Sequence, residues 1–151
     1  MSDAATATID QAQQDIVDEF SLFDDWMDRY QFIIDLGKKL EPLDPEEMTD
    51  DRLLDGCQSQ VWLIVEPSED RLEIRANSDA AIVSGLIALL LRVYSGRRPG
   101  EILQSSPWFV EEIGLSQHLS PTRANGLRAM LDAVYGHARR ALAETSPGTD
   151  S

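Results

Sequence analysis

The chain has 151 residues, and its 27 acidic against 13 basic side chains give a formal net charge of −14 at pH 7. A chain of this length buries a core without disulfides or a structural metal. Its charge repels nucleic-acid backbones and anionic bilayers, which excludes nucleic-acid and membrane partners and favours a soluble partner with a basic surface. The opening string MSDAATATIDQAQQD has neither a basic nor an apolar targeting segment, so a cytoplasmic location is expected. Residues 1–8 and 145–151 are rich in Ser, Thr, Ala, Gly and Asp and are expected to fray. One domain with a core over about residues 10–143 remains.

Across residues 10–40, Ile16, Phe20, Phe23, Met27, Tyr30 and Ile34 recur at three- and four-residue steps, which predicts one amphipathic helix or two in succession, ended by Gly37 and Pro42. Residues 41–51 carry Pro42, Pro45 and six acidic side chains and read as an exposed, solvated loop. Residues 61–65 (VWLIV), a turn at 66–70, and Leu72, Ile74 and Ala76 alternating with polar residues predict a β-hairpin. Residues 52–55 are positioned to add a short strand, with a loop over 56–59 that carries Cys57 at its tip. Ser78 or Asp79 is the expected cap of an apolar helix over about residues 80–95, closed by Gly96. Its most apolar stretch, 80–91, falls well short of the roughly 20 residues that span a bilayer. Two short helices follow at 99–103 and 107–113. A last helix has Ser120 as N-cap, Pro121 at its first position and Leu127, Leu131, Val134, Ala138 and Leu142 along one face. This order gives an α+β domain, a small antiparallel sheet with helices covering one face.

Cys57 is the one cysteine, so an intramolecular disulfide is excluded. Unpaired cysteines commonly serve as small buried hydrophobes, yet the flanks Gly56, Gln58, Ser59 and Gln60 favour a loop. His118 and His137 are far apart in sequence and make no metal set with one cysteine, and neither GxxxxGK nor GxGxxG occurs. A phosphatase-type cysteine wants an arginine where Leu63 stands, and a redox pair wants Cys-x-x-Cys. A Cys57–His118 hydrolase requires the two side chains to meet in space, and is the weakest reading. Asp50, Asp51 and Asp55 raise the pKa of a nearby thiol, so Cys57 is expected to react sluggishly until a partner changes its surroundings.

Several strings resemble the SufE-type cysteine desulfuration proteins. They are Tyr30-x-x-Ile33-Ile34-x-Leu36-Gly37, Gly56-Cys57-Gln58-Ser59-Gln60-Val61-Trp62, Ser78-Asp79-Ala80-Ala81-Ile82-Val83-x-Gly85-Leu86-Ile87, Pro107-Trp108-Phe109, Gln117-His118-Leu119 and Pro121-Thr122-Arg123-x-x-Gly126-Leu127. They span roughly residues 20–142 in the family's order, and GCQSQVW and SDAAIV are the specific ones. The resemblance implies a SufE/NifU-like fold with a three-stranded antiparallel sheet and Cys57 between the first two strands. It also implies a sulfur carrier and desulfurase activator, not an enzyme in its own right. Cys57 would accept persulfide sulfur from a cysteine desulfurase, which uses pyridoxal phosphate, and deliver it to an iron–sulfur cluster scaffold. The chain itself would need neither cofactor nor metal.

Gly56, Gln58, Ser59, Asp79 and Arg123 are the implied loop and partner-contact residues. Against these roles stand plainer ones: a helix N-cap for Asp79, a solvated first-turn position for Arg123, structural hydrogen bonding for His118, and core packing for Trp62 and Trp108. Ala76-Asn77 replaces the family's common Gly-Asp, which alters the strand-to-helix corner. Two other roles fit the same residues: a paralogous carrier for a different desulfurase pathway, and a non-covalent desulfurase adaptor with an inert Cys57.

Overall fold

The computed structural model describes residues 8–54 and 60–145. The periodic stretch near the start is two helices, α1 (Ile9–Phe20) and α2 (Trp26–Lys38). Each begins at a side-chain cap: Thr8 accepts from the Gln11 amide at 3.0 Å, and Asp25 from the Asp28 amide at 3.0 Å. α1 buries Ile9, Ala12, Ile16 and Phe20 on one face. It also buries Gln13, whose Nε2 donates to the Ser106 carbonyl and whose Oε1 accepts from the Phe109 amide, so this buried amide is paired at both ends. Gly37, expected to end the helix, lies inside α2, where a Cβ would stand 2.6 Å from the Gly85 amide nitrogen. Its missing side chain lets two helices touch.

Strands β1 (Val61–Ser68) and β2 (Arg71–Ser78) form an antiparallel hairpin, with Val61 opposite Ser78, Leu63 opposite Ala76 and Val65 opposite Ile74. Alternation puts Val61, Leu63, Leu72, Ile74 and Ala76 on the buried face. The predicted strand at 52–55 does not form among the described residues. Residues Asp50–Arg52 wind into a 3-10 turn, and Leu53 alone makes a β-bridge, to Trp62. The sheet therefore has two strands, extended on its other edge by a single bridge between Leu72 and Arg97. Pro67, expected in the turn, is part of β1 opposite Leu72. Leu72 directs its N–H to the Arg97 carbonyl and its carbonyl to the Gly96 amide, so no donor is required of Pro67.

The hairpin turn is consequently tighter than the sequence implies, and it holds Glu69 at φ 59°. A side chain in that left-handed conformation costs about 1 kcal/mol relative to glycine. Glu69→Gly is expected to stabilise the fold by about 0.5–1 kcal/mol, seen as a higher urea midpoint at unchanged slope. An unchanged or lower midpoint would contradict this.

Helix α3 (Ala81–Tyr94) is the centre of the molecule, burying Ile82, Val83, Leu86, Ile87, Leu89, Leu90, Val93 and Tyr94 against the hairpin and α2. It stops where Gly96 takes φ 80°. Then come α4 (Pro99–Leu103), α5 (Trp108–Glu112), the single turn α6 (Leu115–His118) and the long α7 (Pro121–Thr145). The α6 turn is not visible as a periodicity, and Gly114 at φ 82° starts it. Ser120 Oγ accepts from the Arg123 amide at 3.3 Å, as expected of the cap of α7. No helix among the described residues is long and apolar enough to cross a membrane.

Candidate functional site

Cys57, Gly56, Gln58 and Ser59 lie outside the described residues. The structure describes the neck on which they are mounted. On one side of it the Leu54 amide donates to the Val61 carbonyl at 2.9 Å, one residue beyond the Leu53–Trp62 bridge. On the other side Asp79 grips Gln60: its carboxylate accepts from the Gln60 amide at 3.0 Å, and its own amide donates to the Gln60 carbonyl at 3.3 Å. Asp79 therefore spends its carboxylate on the chain leaving residues 55–59 and does not cap α3. Ala80 occupies the cap position, and Ser78 closes the corner, accepting from the Ala80 amide at 3.2 Å.

The acidic segment 41–51 is not a free loop. Leu43 is buried, and its amide donates to Asn77 Oδ1 at 2.6 Å, while Asn77 Nδ2 donates to the Glu41 carbonyl at 3.3 Å. The turn Pro45–Glu47 brings Glu47 onto Arg75, which donates to both carboxylate oxygens at 3.0 and 2.6 Å. This bidentate pair, with help from the Asp44 amide, holds the Glu47 carboxyl down at about 2. A depressed carboxyl stabilises the fold above its ordinary value of 4.5 and loses that contribution as the pH falls through about 2, so the pair is intact at neutral pH. Arg52 then donates to the Glu47 carbonyl at 3.1 Å and carries the chain toward Leu53 and the neck. The sequence alone reads this charge as solvated. The signal that could have found the contact was Asn77, already conspicuous as the departure from the family's pattern.

Arg123 stands exposed in the first turn of α7, with no side-chain hydrogen bond or ion pair among the described residues. His118 is elsewhere engaged: its ring stacks on Trp26 at 4.1 Å between centroids, Nδ1 contacts the Gly114 carbonyl at 3.0 Å, and Tyr30 donates to its backbone carbonyl. That is a structural place, joining α6 to the start of α2. His137 is half-buried within α7, where burial lowers its pKa. Trp62 and Trp108 are only partly buried. Trp108 donates to Asp10 and lines a surface groove of about 470 Å³ with Val110, Leu119, Leu127 and Leu131, while its neighbour Phe109 takes the core position. No group of three or more His, Cys, Asp or Glu among the described residues is placed to hold a metal ion.

Residues 14–138 match the family model described as SufE, an Fe-S metabolism associated domain. The chain belongs to the SufE family. It is 39% identical over 132 residues to an uncharacterized SufE-like protein of Rhizobium meliloti, covering 84% of this chain and 94% of that one. A second uncharacterized SufE-like protein, from Rhizobium etli, is 40% identical over 138 residues, covering 88% and 90%. Among solved structures, the solution structure of a hypothetical protein from Thermus thermophilus superposes with a TM-score of 0.71. It is 21% identical and covers 87% of this chain and 96% of that one. At that identity the likeness shows a shared fold. Membership of the SufE family ties the chain to iron–sulfur metabolism, and the α+β architecture expected from the sequence holds, with a two-stranded sheet among the described residues.

Proposed function

We propose that this SufE-family protein is a sulfur carrier that takes persulfide sulfur from a pyridoxal-phosphate cysteine desulfurase onto Cys57, stimulates that enzyme and passes the sulfur to an iron–sulfur scaffold. The observation that carries the reading is the neck. Leu54 and Val61 close one side, Asp79 fixes Gln60 on the other, and the five residues between them contain the chain's one thiol. In the transfer, the Cys57 thiolate attacks the outer sulfur of the donor's Cys–S–SH. The bond between the donor's two sulfurs breaks, its cysteine leaves as thiolate, and Cys57 becomes Cys–S–SH. Sulfur changes hands without net oxidation, so no metal or redox cofactor is required of this chain.

The deciding experiment is mass spectrometry of the protein after incubation with a cysteine desulfurase and cysteine. A gain of one sulfur, mapped to Cys57, supports the carrier. Tight binding to the desulfurase without that gain would leave a non-covalent adaptor in its place.

The docking face of a carrier must surround the thiol, and Arg123 is an exposed cation with no side-chain partner among the described residues, suited to meet a carboxylate on the desulfurase. Arg123→Ala is expected to weaken binding by roughly 1–3 kcal/mol, because truncation leaves the partner charge unmatched. Arg139 and Arg140, exposed toward the far end of α7, are the controls and should change affinity little. Titration calorimetry reads the difference, and an Arg123 variant that binds like the controls would place this residue off the docking face.

A further inference from the structure

We propose that Arg75 and Asn77 are positioning residues for sulfur acceptance: they clamp residues 41–48 to β2 and so fix the direction in which the chain reaches Leu54, the entry side of the neck that precedes Cys57 in sequence. The inference rests on the carrier reading given above.

Both residues project from the face of the hairpin opposite its helix-covered side. Register puts Arg75 across from Ile64 and Asn77 across from Trp62, out of phase with the buried Leu63, Ala76 and Ile74. The segment they hold has little apolar anchorage of its own, since Leu43 is the buried side chain within 41–52. Its attachment is therefore mostly polar: Asn77 to the backbone of Glu41 and Leu43, and Arg75 to the Glu47 carboxylate. From Glu47 the constraint passes onward by short links. Arg52 bonds the Glu47 carbonyl, the Arg52 and Leu53 amides close the turn on Thr49 and Asp50, and Leu53 bridges Trp62. The chain thus reaches Leu54 from a fixed direction, while Asp79 fixes Gln60 on the far side of the neck.

Energetics favour a positioning role over a stabilising one. The Arg75 and Glu47 side chains are 40% and 25% exposed, and an ion pair this close to solvent adds little to global stability. Of the six acidic side chains of 41–51, Glu47 is the one joined to an arginine among the described residues; Asp51, for comparison, accepts from Thr49. A sulfur relay, in contrast, is sensitive to small displacements of the accepting atom.

The test uses the full-length protein as Arg75→Met, Glu47→Gln, the double variant and Asn77→Ala, with thermal melts to confirm folding. Two readouts are taken: the rate at which iodoacetamide alkylates Cys57, and the concentration of the protein that half-stimulates a cysteine desulfurase. Freed on its entry side, Cys57 should alkylate about two- to tenfold faster, and the half-stimulating concentration should rise by a similar factor, with maximal turnover changed less. Arg75→Met and the double variant should behave alike, and Glu47→Gln, which leaves Arg75 its 3.8 Å contact with Glu66, should shift both readouts in the same direction. Unchanged alkylation and half-stimulation, whether or not the melting temperature moves, would overturn the proposal. That failure is separable from failure of the carrier reading, which would instead appear as no sulfur gained on Cys57 in the unsubstituted protein.

Discussion

Cys57→Ser is expected to fold and to bind the desulfurase as the unsubstituted chain does, yet to accept no sulfur and to lose the stimulation of desulfurase turnover. A serine hydroxyl is not ionised at neutral pH and forms no stable bond to a sulfane sulfur, so the exchange step is removed outright and not slowed by a factor. The flanks Gly56, Gln58 and Ser59 are polar or flexible, and among the described residues the neck is closed by Asp79 on the Gln60 backbone and by the Leu54 amide on the Val61 carbonyl, neither of which a Cys57 substitution removes. Folding is checked by the thermal melt, binding by calorimetry, and transfer by desulfurase turnover with cysteine and a reductant present. Stimulation by the serine variant equal to that of the unsubstituted protein would rule out the acceptor role and leave docking as the source of activation.

How much of this was legible in the sequence depended on the range of the forces involved. The hairpin and α3 announce themselves through local periodicity: Leu72, Ile74 and Ala76 alternate, and the 80–95 stretch is apolar enough to be buried almost all round. The caps at Ser120 and Pro121 are likewise local signals and hold. What failed was non-local. A third strand at 52–55 is expected from position alone, but Asp50, Asp51 and Arg52 close a turn on themselves and leave a single bridge, Leu53 to Trp62, among the described residues.

Asp79 looked like a helix cap because it stands just before a helix. Its carboxylate instead answers a backbone amide 19 residues earlier in the chain, a demand that no window around Asp79 contains. Glu47 and Arg75, 28 residues apart, are illegible for the same reason. At the candidate site, GCQSQVW marks the chemistry and the family, and the resemblance already implies Asp79 as a loop residue, whereas the contacts of residues 41–52 with Asn77 and Arg75 appear only once the hairpin brings them together.

Gly85→Ala is expected to be the most damaging single-methyl change in the fold. A Cβ at Gly85 would lie 2.0 Å from the Ile33 carbonyl oxygen, 2.4 Å from Ile33 Cγ2 and 2.6 Å from the Ile33 carbonyl carbon. Two of those three atoms are backbone of α2, so no side-chain rotation relieves the overlap, and α2 and α3 must move apart. Ile33 is itself fully buried, so separation also opens its packing. Alanine gains about 0.5–1 kcal/mol over glycine within a helix, but overpacking a tight contact costs about 1–3 kcal/mol and more where backbone must shift. The steric term wins, and a net loss of about 2–3 kcal/mol is expected.

Gly136→Ala, in the middle of α7, makes the comparison sharp. Its Cβ would meet nothing nearer than Arg140 Nη1 at 3.7 Å, an ordinary contact with a flexible side-chain end. There the helix preference acts alone, and a gain of about 0.5–1 kcal/mol should follow. Urea unfolding of the two variants should therefore move the midpoint in opposite directions. Because Asp79 and Ser78 sit at the head of α3, pushing that helix off α2 should also slacken the grip on Gln60, so surviving folded Gly85→Ala protein is expected to stimulate the desulfurase poorly. A Gly85→Ala midpoint at or above that of the unsubstituted protein would show that α2 and α3 do not meet at this distance.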